Sequence, residues 1–512
     1  MTQLQQRLGA LAPGIKNIRR GIEKESLRVR RDGSLATTRH PAGLGSPLTH
    51  PHITTDFSEA QLELITGVHS EVDTCLEELT HIHRVVYRHL GDEVLWGASM
   101  PCKLPSDDAV PIARYGSSNI GRAKTVYRMG LAHRYGRRMQ TISGIHYNFS
   151  LQETAWPALA WLGGPNEAYF ALIRNFRRHS WLLLYLLGAS PAICSSFAAG
   201  AAHGLQQLGP GTLYAPHATS LRMGPLGYQS QAQASLAVSY NSLERYAASL
   251  HEALATPYAP YESIGIRIGD DYRQLTTSLL QIENEFYGTI RPKRVIRRGE
   301  RALHALRERG VEYVEVRLID LDPFCACGIT ARTIHFLDVF LLHCLLCESP
   351  PDTPQEIAAI ARNQHLVALR GREPGLQLER GGHRVALAEW GAELLADCEP
   401  IAAVLDAQGG RAHADAISAA VAALADAASV PSARILEEME QKHGRSYVRF
   451  ALAHSLQHRS ALQSVPLPPE VEERFARTAE ESLINQREIE SADTVPFETY
   501  RTEYLSPDRL QA

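Results

Sequence analysis

No stretch of this chain carries about 18 consecutive apolar residues, so nothing in it has the length of a membrane span. The opening MTQLQQRLGALAPGIKNIRR also lacks an apolar run of signal-peptide length, which points to a cytoplasmic protein without membrane association. Single-sign charge blocks are missing too. Lys and Arg total 52 against 56 Asp and Glu, a net charge of -4, and no nucleic-acid partner is expected from that balance. Cysteine is sparse, with 8 in 512 residues, too few for a secreted disulfide framework, so reduced thiols are expected. There is no fixed-period repeat and no low-complexity tract, although residues 401–429 are Ala-rich and read as helix. A P-loop is absent as well: Gly116-Ser-Ser-Asn-Ile-Gly121 has the glycine spacing, but Arg122-Ala123 stands where Lys-Ser/Thr is required.

A hydrophobic content of 44% over 512 residues is enough for one large catalytic unit or two to three ordinary domains. From about 15 to 340, short strand-like runs alternate with helical stretches. From about 341 onward the helical pattern dominates, with Pro350, Pro351 and Pro354 marking a break. The texture predicts an α+β catalytic core over 15–345 and a mainly helical portion over 346–512 packed on that core. The apolar helices expected at 165–187 and 333–347 read as scaffold against a sheet.

Four strand-like runs carry the chemistry. In Gly21–Arg30, period two puts Glu23, Glu25, Leu27 and Val29 on one face and Lys24, Ser26, Arg28 and Arg30 on the other. Two glutamates turned inward cost several kcal/mol per unpaired ion unless cations compensate them. The alternative is an edge strand with solvated carboxylates. The run Thr54–Thr66 adds Asp56 near a turn and Glu63 between Leu62 and Leu64, where a face turned to water would serve equally.

In Gln140–Leu151, Gly144, His146, Asn148 and Ser150 share one face against Ile145, Tyr147, Phe149 and Leu151, which suits either a structural histidine or the floor of a site. In Val311–Asp320, Tyr313, Glu315 and Arg317 share a face. They offer either a plain ion pair or a carboxylate for metal beside a guanidinium for phosphate. Together, hard oxygen donors and one imidazole favour Mg²⁺ or Mn²⁺ over zinc, as in sites that hold polyphosphate. The basic run Arg291–Arg298, after a strand-like Leu279–Tyr287, is a candidate for ATP phosphates or a solvated loop.

Two other groupings read as structural. Cys325 and Cys327 with Cys344 and Cys347 have a zinc-like spacing, but the second pair lies in an apolar helix and core thiols are expected. His81, His83 and His89 lie on a mixed amphipathic stretch and read as surface histidines.

Taken in order, GIEKESLRV (21–29), TTDFSEAQLE (54–63), YGSSNIGRAKTVYRMGLAHRYG (115–136), QTISGIHYNFS (140–150), GASPAICSSF (188–197), ATSLRMGPLGY (218–228), LQIENEFYGTIRPKR (280–294) and VEYVEVRLIDLDPF (311–324) closely resemble the proteobacterial type of glutamate–cysteine ligase. The resemblance runs nearly unbroken from about 15 to 345. After about 370 it thins to short stretches such as SARIL (432–436) and ADTVPF (492–497). The loop near 200–212 and the segment Cys325–Gly328 depart from the family pattern.

The resemblance implies a fold related to the catalytic domain of glutamine synthetase, a curved, mainly antiparallel sheet forming a funnel-shaped active site surrounded by helices. It implies ATP and two or three Mg²⁺ or Mn²⁺ ions as cofactors, L-glutamate and L-cysteine as substrates, glutathione as feedback inhibitor and a monomer. By position in the matching motifs, Glu23, Glu25, Asp56, Glu63, His146 and Glu315 would be metal residues. Arg317, and with it Lys293, would meet ATP, Glu315 and Arg317 being the catalytic pair. The cysteine pocket would map to Phe57, Tyr127, Leu131, Gln140, Arg222, Tyr228 and Tyr287. The reaction implied forms γ-glutamyl phosphate, which the cysteine amine then attacks. The rivals are a carboxylate–amine ligase using another amine, a metal-dependent phosphohydrolase and an inactive ATP-binding regulator.

Overall fold

The computed structural model describes residues 6–9, 18–200, 202–227, 231–234, 236, 238–297, 299–407 and 409–510. Its centre is a seven-stranded sheet. The strands are β1 (Ile18–Val29), β2 (Ile53–Thr55), β3 (Gln61–Ile65), β4 (Val94–Leu95), β5 (Ile145–Leu151), β6 (Ile290–Lys293) and β7 (Tyr313–Ile319). They run in the order β6-β7-β5-β1-β3-β2, with β4 added to β1, and every pairing is antiparallel. The long β1 is the spine, because it pairs with β5 along its first half and with β3 along its second.

Alternation along the strands sorts the two faces. Ile22, Leu62, Leu64, Tyr147, Phe149, Val314 and Val316 are buried in one large apolar cluster. Two helices rich in the same residue types close over it, α1 (Pro165–Leu187) and α2 (Ala331–Leu346). Proline at the first turn starts α1 and the Thr330 hydroxyl caps α2 by accepting from Thr333 N–H. Leu27 and Val29, further along β1, belong to a second cluster with Phe57, Trp96 and Phe450, so one strand ties two cores together.

Polar groups on the apolar side are satisfied in pairs. Arg20 donates to Asp338 on α2 at 2.8 Å and the Tyr147 hydroxyl donates to its other oxygen at 2.6 Å, which clamps that helix to β1 and β5. Lys24 lies 2.7 Å from His83 Nε2, and burial pulls the Lys24 ammonium down to about 8. His83 is therefore a fully enclosed partner of the sheet, not one of three surface histidines, because its helix, Val72–His89, packs that face against β1.

Two further expectations change. Leu279–Tyr287 is not a strand. The Glu285 carboxylate accepts from Arg134 at 2.9 Å, Tyr135 Oη at 2.7 Å and the Gln281 N–H at 2.6 Å, which winds the segment into a tight turn over Glu283–Glu285. The Ala-rich 401–429 is not one helix. Leu387–Asp406 ends, Gly409 and Gly410 take positive φ, and a second helix spans Ala412–Ala425. The cysteines are free thiols, with Cys344 fully buried and Cys347 partly so.

Beyond α2 the chain is mainly helical, and its apolar residues, Leu378, Trp390, Leu395 and Phe475 among them, join the large cluster that also holds the sheet. Its last part reaches back to the helix α3 (Asn119–Tyr135). There the Glu490 carboxylate accepts from Ser117 N–H at 2.8 Å, Asp493 accepts from Asn119 N–H, and the Asn119 side chain donates to Val495 O at 2.9 Å. Ser118 caps the same helix by accepting from Gly121 N–H. Among the described residues no helix is long and apolar enough to cross a membrane.

Removing one member of a buried ion pair strands the other, at a cost of about 3–5 kcal/mol. Asp338→Ala is accordingly expected to lower the urea midpoint of unfolding sharply, and Asp338→Asn less so. An unchanged midpoint for the alanine variant would remove the clamp from this account.

Candidate active site

The polar face of the sheet gathers the acidic residues that the sequence singles out. In the register of β1 and β5, Glu23 stands directly opposite His146, and in that of β1 and β3, Glu25 stands opposite Glu63. Across β5 and β7, Asn148 faces Glu315, which in turn faces Arg291 on β6. Period two makes these neighbours share one side, so residues far apart in the chain become a single acidic floor.

Glu23 accepts from Asn148 Nδ2 at 2.9 Å and lies 3.0 Å from His146 Nδ1. Glu25 accepts from the Gly144 N–H at 2.8 Å and approaches His146 Nε2 at 3.7 Å. Glu315 is held between Lys293 at 3.1 Å and Arg317 at 3.0 Å. One donor atom from each of Glu23, Glu63 and His146 lies within 4.8 Å of the others.

The charges are unevenly compensated. The Lys293 and Arg317 cations hold the Glu315 carboxyl well below the usual carboxylate range against the opposing effect of its burial. Glu63 goes the other way: burial first, then the negative charges of Glu23, Asp56 and Glu25, push its carboxyl well above that range. Glu25 is also pushed up by burial, with Asp56 adding to it and His146 opposing. The end of the site near Glu63 thus carries more negative charge than its own cations balance, which is where a divalent cation would be most strongly attracted.

Beside this floor lies an aromatic and apolar wall. Phe57 and Leu131 are buried, with Tyr127 packed against them. Gln140 donates to the Tyr287 hydroxyl at 2.8 Å, and the Tyr287 ring makes an edge contact with Tyr135 at 5.7 Å. Burial pushes the Tyr287 phenol up, and the negative charge of Asp56 adds to that rise, which puts the wall within electrostatic reach of the acidic floor.

Arg222 is almost fully enclosed. It donates to Arg317 O at 2.7 Å and lies 3.7 Å from Asp320, which also accepts from the Ala189 N–H and the Ser220 hydroxyl. Tyr228 lies outside the described residues, as does Arg298 of the basic run. Within that run Arg291 donates back to Asn284 O at 2.9 Å and Arg294 to Arg309 O at 2.8 Å, leaving Lys293 as the member that meets Glu315.

Several contributors escape a reading by alternation. Asp320 has the wrong parity for the site face of β7, but a register shift between Val316 and Ile319 resets the pattern and delivers it to Arg222. Arg128, on α3 between Tyr127 and Leu131, donates through Nε to Asp56 O, and its charge opposes the rise at Glu63. A helical position one residue after a pocket tyrosine gives no signal of that reach.

With this geometry established, a sequence profile described as "Glutamate-cysteine ligase" matches residues 3–367. The chain belongs to the glutamate–cysteine ligase family. A "Glutamate--cysteine ligase" from Alcanivorax borkumensis is 47% identical over 524 aligned positions, covering 99% of this chain and 100% of that protein. One from Azotobacter vinelandii is 50% identical, covering 94% and 93%. Among solved structures, a glutamate–cysteine ligase from Francisella tularensis, crystallised in complex with AMP, superposes with a TM-score of 0.91 at 36% identity, covering 96% of this chain and 97% of that one. A bifunctional glutathione synthetase from Pasteurella multocida gives 0.70 at 25% identity, with 97% of this chain aligned to 60% of the larger one. The family's stronger likeness before residue 367 coincides with the part of the chain that supplies every strand of the acidic floor.

Gly144 leaves no room for a side chain. A Cβ there would stand 2.1 Å from Arg222 Nη2, and that guanidinium is pinned by Arg317 O and Asp320. Gly144→Ala is expected to displace Arg222 and cut ligase turnover at least tenfold while the circular dichroism spectrum stays unchanged. Wild-type turnover in that variant would show that Arg222 need not hold its position.

Proposed function

We propose that this chain ligates the γ-carboxylate of L-glutamate to the amine of L-cysteine with ATP, through γ-glutamyl phosphate, yielding γ-L-glutamyl-L-cysteine, ADP and phosphate. This is the first step of glutathione biosynthesis. The observation that carries the reading is the acidic floor with cations on one flank and an aromatic wall on the other, in a chain of which 99% aligns with a relative named glutamate–cysteine ligase.

Glu23, Glu25, Asp56, Glu63, His146 and Glu315 would hold magnesium or manganese. The donor set fits: five carboxylates and one imidazole are hard ligands, and the excess negative charge around Glu63 calls for a cation. Magnesium is usually held by only one or two carboxylates, so six donors suit two or three ions. When bound, the metal supplies charge neutralisation for the polyphosphate.

The chain's own groups do the rest. Arg317, its guanidinium braced by Glu315 and partly open to solvent, is placed to meet the transferred phosphoryl oxygens, with Lys293 as a second cation on the nucleotide. The glutamate γ-carboxylate attacks the γ-phosphorus and ADP leaves. The cysteine amine then attacks the acyl carbon, phosphate departs and the amine gives up a proton. Arg222 would orient the cysteine carboxylate, while Phe57, Tyr127, Leu131, Gln140, Tyr228 and Tyr287 would enclose the thiol end and exclude water that would hydrolyse the acyl phosphate.

The fold class in this reading is the funnel of the glutamine synthetase type, with 15–345 as catalytic core and 346–512 packed on it. The protein works as a cytoplasmic monomer. Glutathione contains the γ-glutamylcysteine unit and so competes for the same surfaces as an inhibitor.

A pocket that distinguishes a thiol by burial alone gains about 1–3 kcal/mol, so 2-aminobutyrate should be accepted weakly. Incubation with ATP, Mg²⁺, glutamate and cysteine should give γ-glutamylcysteine by HPLC, with phosphate release requiring both amino acids. Phosphate release without glutamate would favour a phosphohydrolase instead. Glu315→Gln should abolish product while leaving the melting temperature within a few degrees, and near-normal turnover would contradict the metal assignment.

A further inference from the structure

Outside the acidic floor, the helical hairpin formed by Pro431–Lys442 and Tyr447–Ser464 brings together one of three further sets of ligand-type atoms among the described residues. Glu438 Oε1 lies 3.4 Å from His443 Nε2 and 3.0 Å from His454 Nε2, and the three atoms all fall within 4.8 Å of one another. Zinc bonds of about 2.0–2.2 Å to nitrogen and oxygen, arranged tetrahedrally, require ligand atoms about 3.3–3.5 Å apart. The cluster is already near that spacing.

A carboxylate between two histidines is also an ordinary hydrogen-bonded arrangement, so the surroundings decide. Both imidazoles present Nε2 to the same oxygen, and none of the three side chains is more than 20% exposed. The rings are held from behind: Phe450 packs on His443 at 5.6 Å and on His454 at 4.7 Å, and Phe324 meets His454 edge-on at 5.2 Å. The turn joining the helices runs through Gly444 and Arg445, both at positive φ, and it closes with Arg445 N–H donating to Met439 O at 2.8 Å, which returns His443 toward Glu438. Lys442, a nearby cation, stands 3.9 Å from Glu438 on a mostly exposed side chain that can swing into solvent.

We propose that Glu438, His443 and His454 form a site for a borderline transition-metal ion, with zinc as the best fit and solvent as the fourth ligand. Two imidazoles and one carboxylate are the donor chemistry of zinc, distinct from the oxygen-rich floor of the sheet. The ion would rivet the hairpin next to the loop that follows β7, since His458, one turn beyond His454, lies 2.8 Å from Pro323 O. The proposal stands independently of the ligase reaction.

The test titrates the purified full chain with Co²⁺ in a large excess of Mg²⁺, which keeps the acidic floor supplied with its own ion, and reads the visible absorption of tetrahedral cobalt. The wild type should show one such equivalent per chain, displaced by Zn²⁺. His443→Gln and His454→Gln should each lose it while keeping their circular dichroism spectra and ligase turnover within twofold. Zn²⁺ should also raise the melting temperature of the wild type, which needs no variant to fold. The absence of the cobalt band from the wild type, or its persistence in either variant, overturns the proposal.

Discussion

Like charges packed close together repel strongly, and the sheet of this protein gathers several largely buried carboxylates on one face. The strain concentrates at Glu63, whose carboxyl is driven upward by its burial and by Glu23, Asp56 and Glu25, while Glu315 a few strands away is drawn down by Lys293 and Arg317. That asymmetry gives the site a direction. One end is compensated by Lys293 and Arg317, while at the other Arg128 only partly offsets the surrounding negative charge. The backbone geometry needed to sustain the asymmetry explains much of the remaining architecture.

The opposite face of the sheet must therefore be rigid, since a carboxylate that could turn away would escape the repulsion. The two apolar helices provide that rigidity, and the Arg20–Asp338–Tyr147 clamp fixes one of them to the strands that carry Glu23 and His146. Lys24, between the two glutamates in sequence but on the reverse side, is enclosed against His83 and held near the edge of deprotonation, so it adds little positive charge behind the acidic floor at alkaline pH. Adjacent residues of one strand thus serve opposite electrostatic purposes.

Much of this was legible in the residues themselves. Alternation in 145–151 and 313–316 separates the polar face from the apolar one, because antiparallel strands with one packed side enforce period two. In 21–30 it sets Glu23 beside Glu25 but groups them with Leu27 and Val29, which join an apolar cluster, while Lys24 on the reverse side is buried. The boundaries of the helix at 165–187 follow from its proline start and its apolar length. What alternation misses has identifiable causes. Leu279–Tyr287 looks like a strand, but side chains distant in sequence, Arg134 and Tyr135, capture Glu285 and curl it. Asp320 joins the site only through a bulge, Arg128 only through the placement of a helix, and His83 is buried by its packing partner. The proposed cysteine-pocket residues came from the family resemblance, since no periodicity singles them out.

The contact between the start of the Asn119–Tyr135 helix and Glu490 and Asp493 spans more than 370 positions of chain. Every strand of the central sheet leaves the ribosome well before those two acids do. During synthesis the acidic face of the sheet is therefore complete in sequence while the helix bearing Tyr127 and Leu131 still lacks partners at its amino end. The first turn of that helix thus gains its last hydrogen-bond partners only when the chain is almost finished.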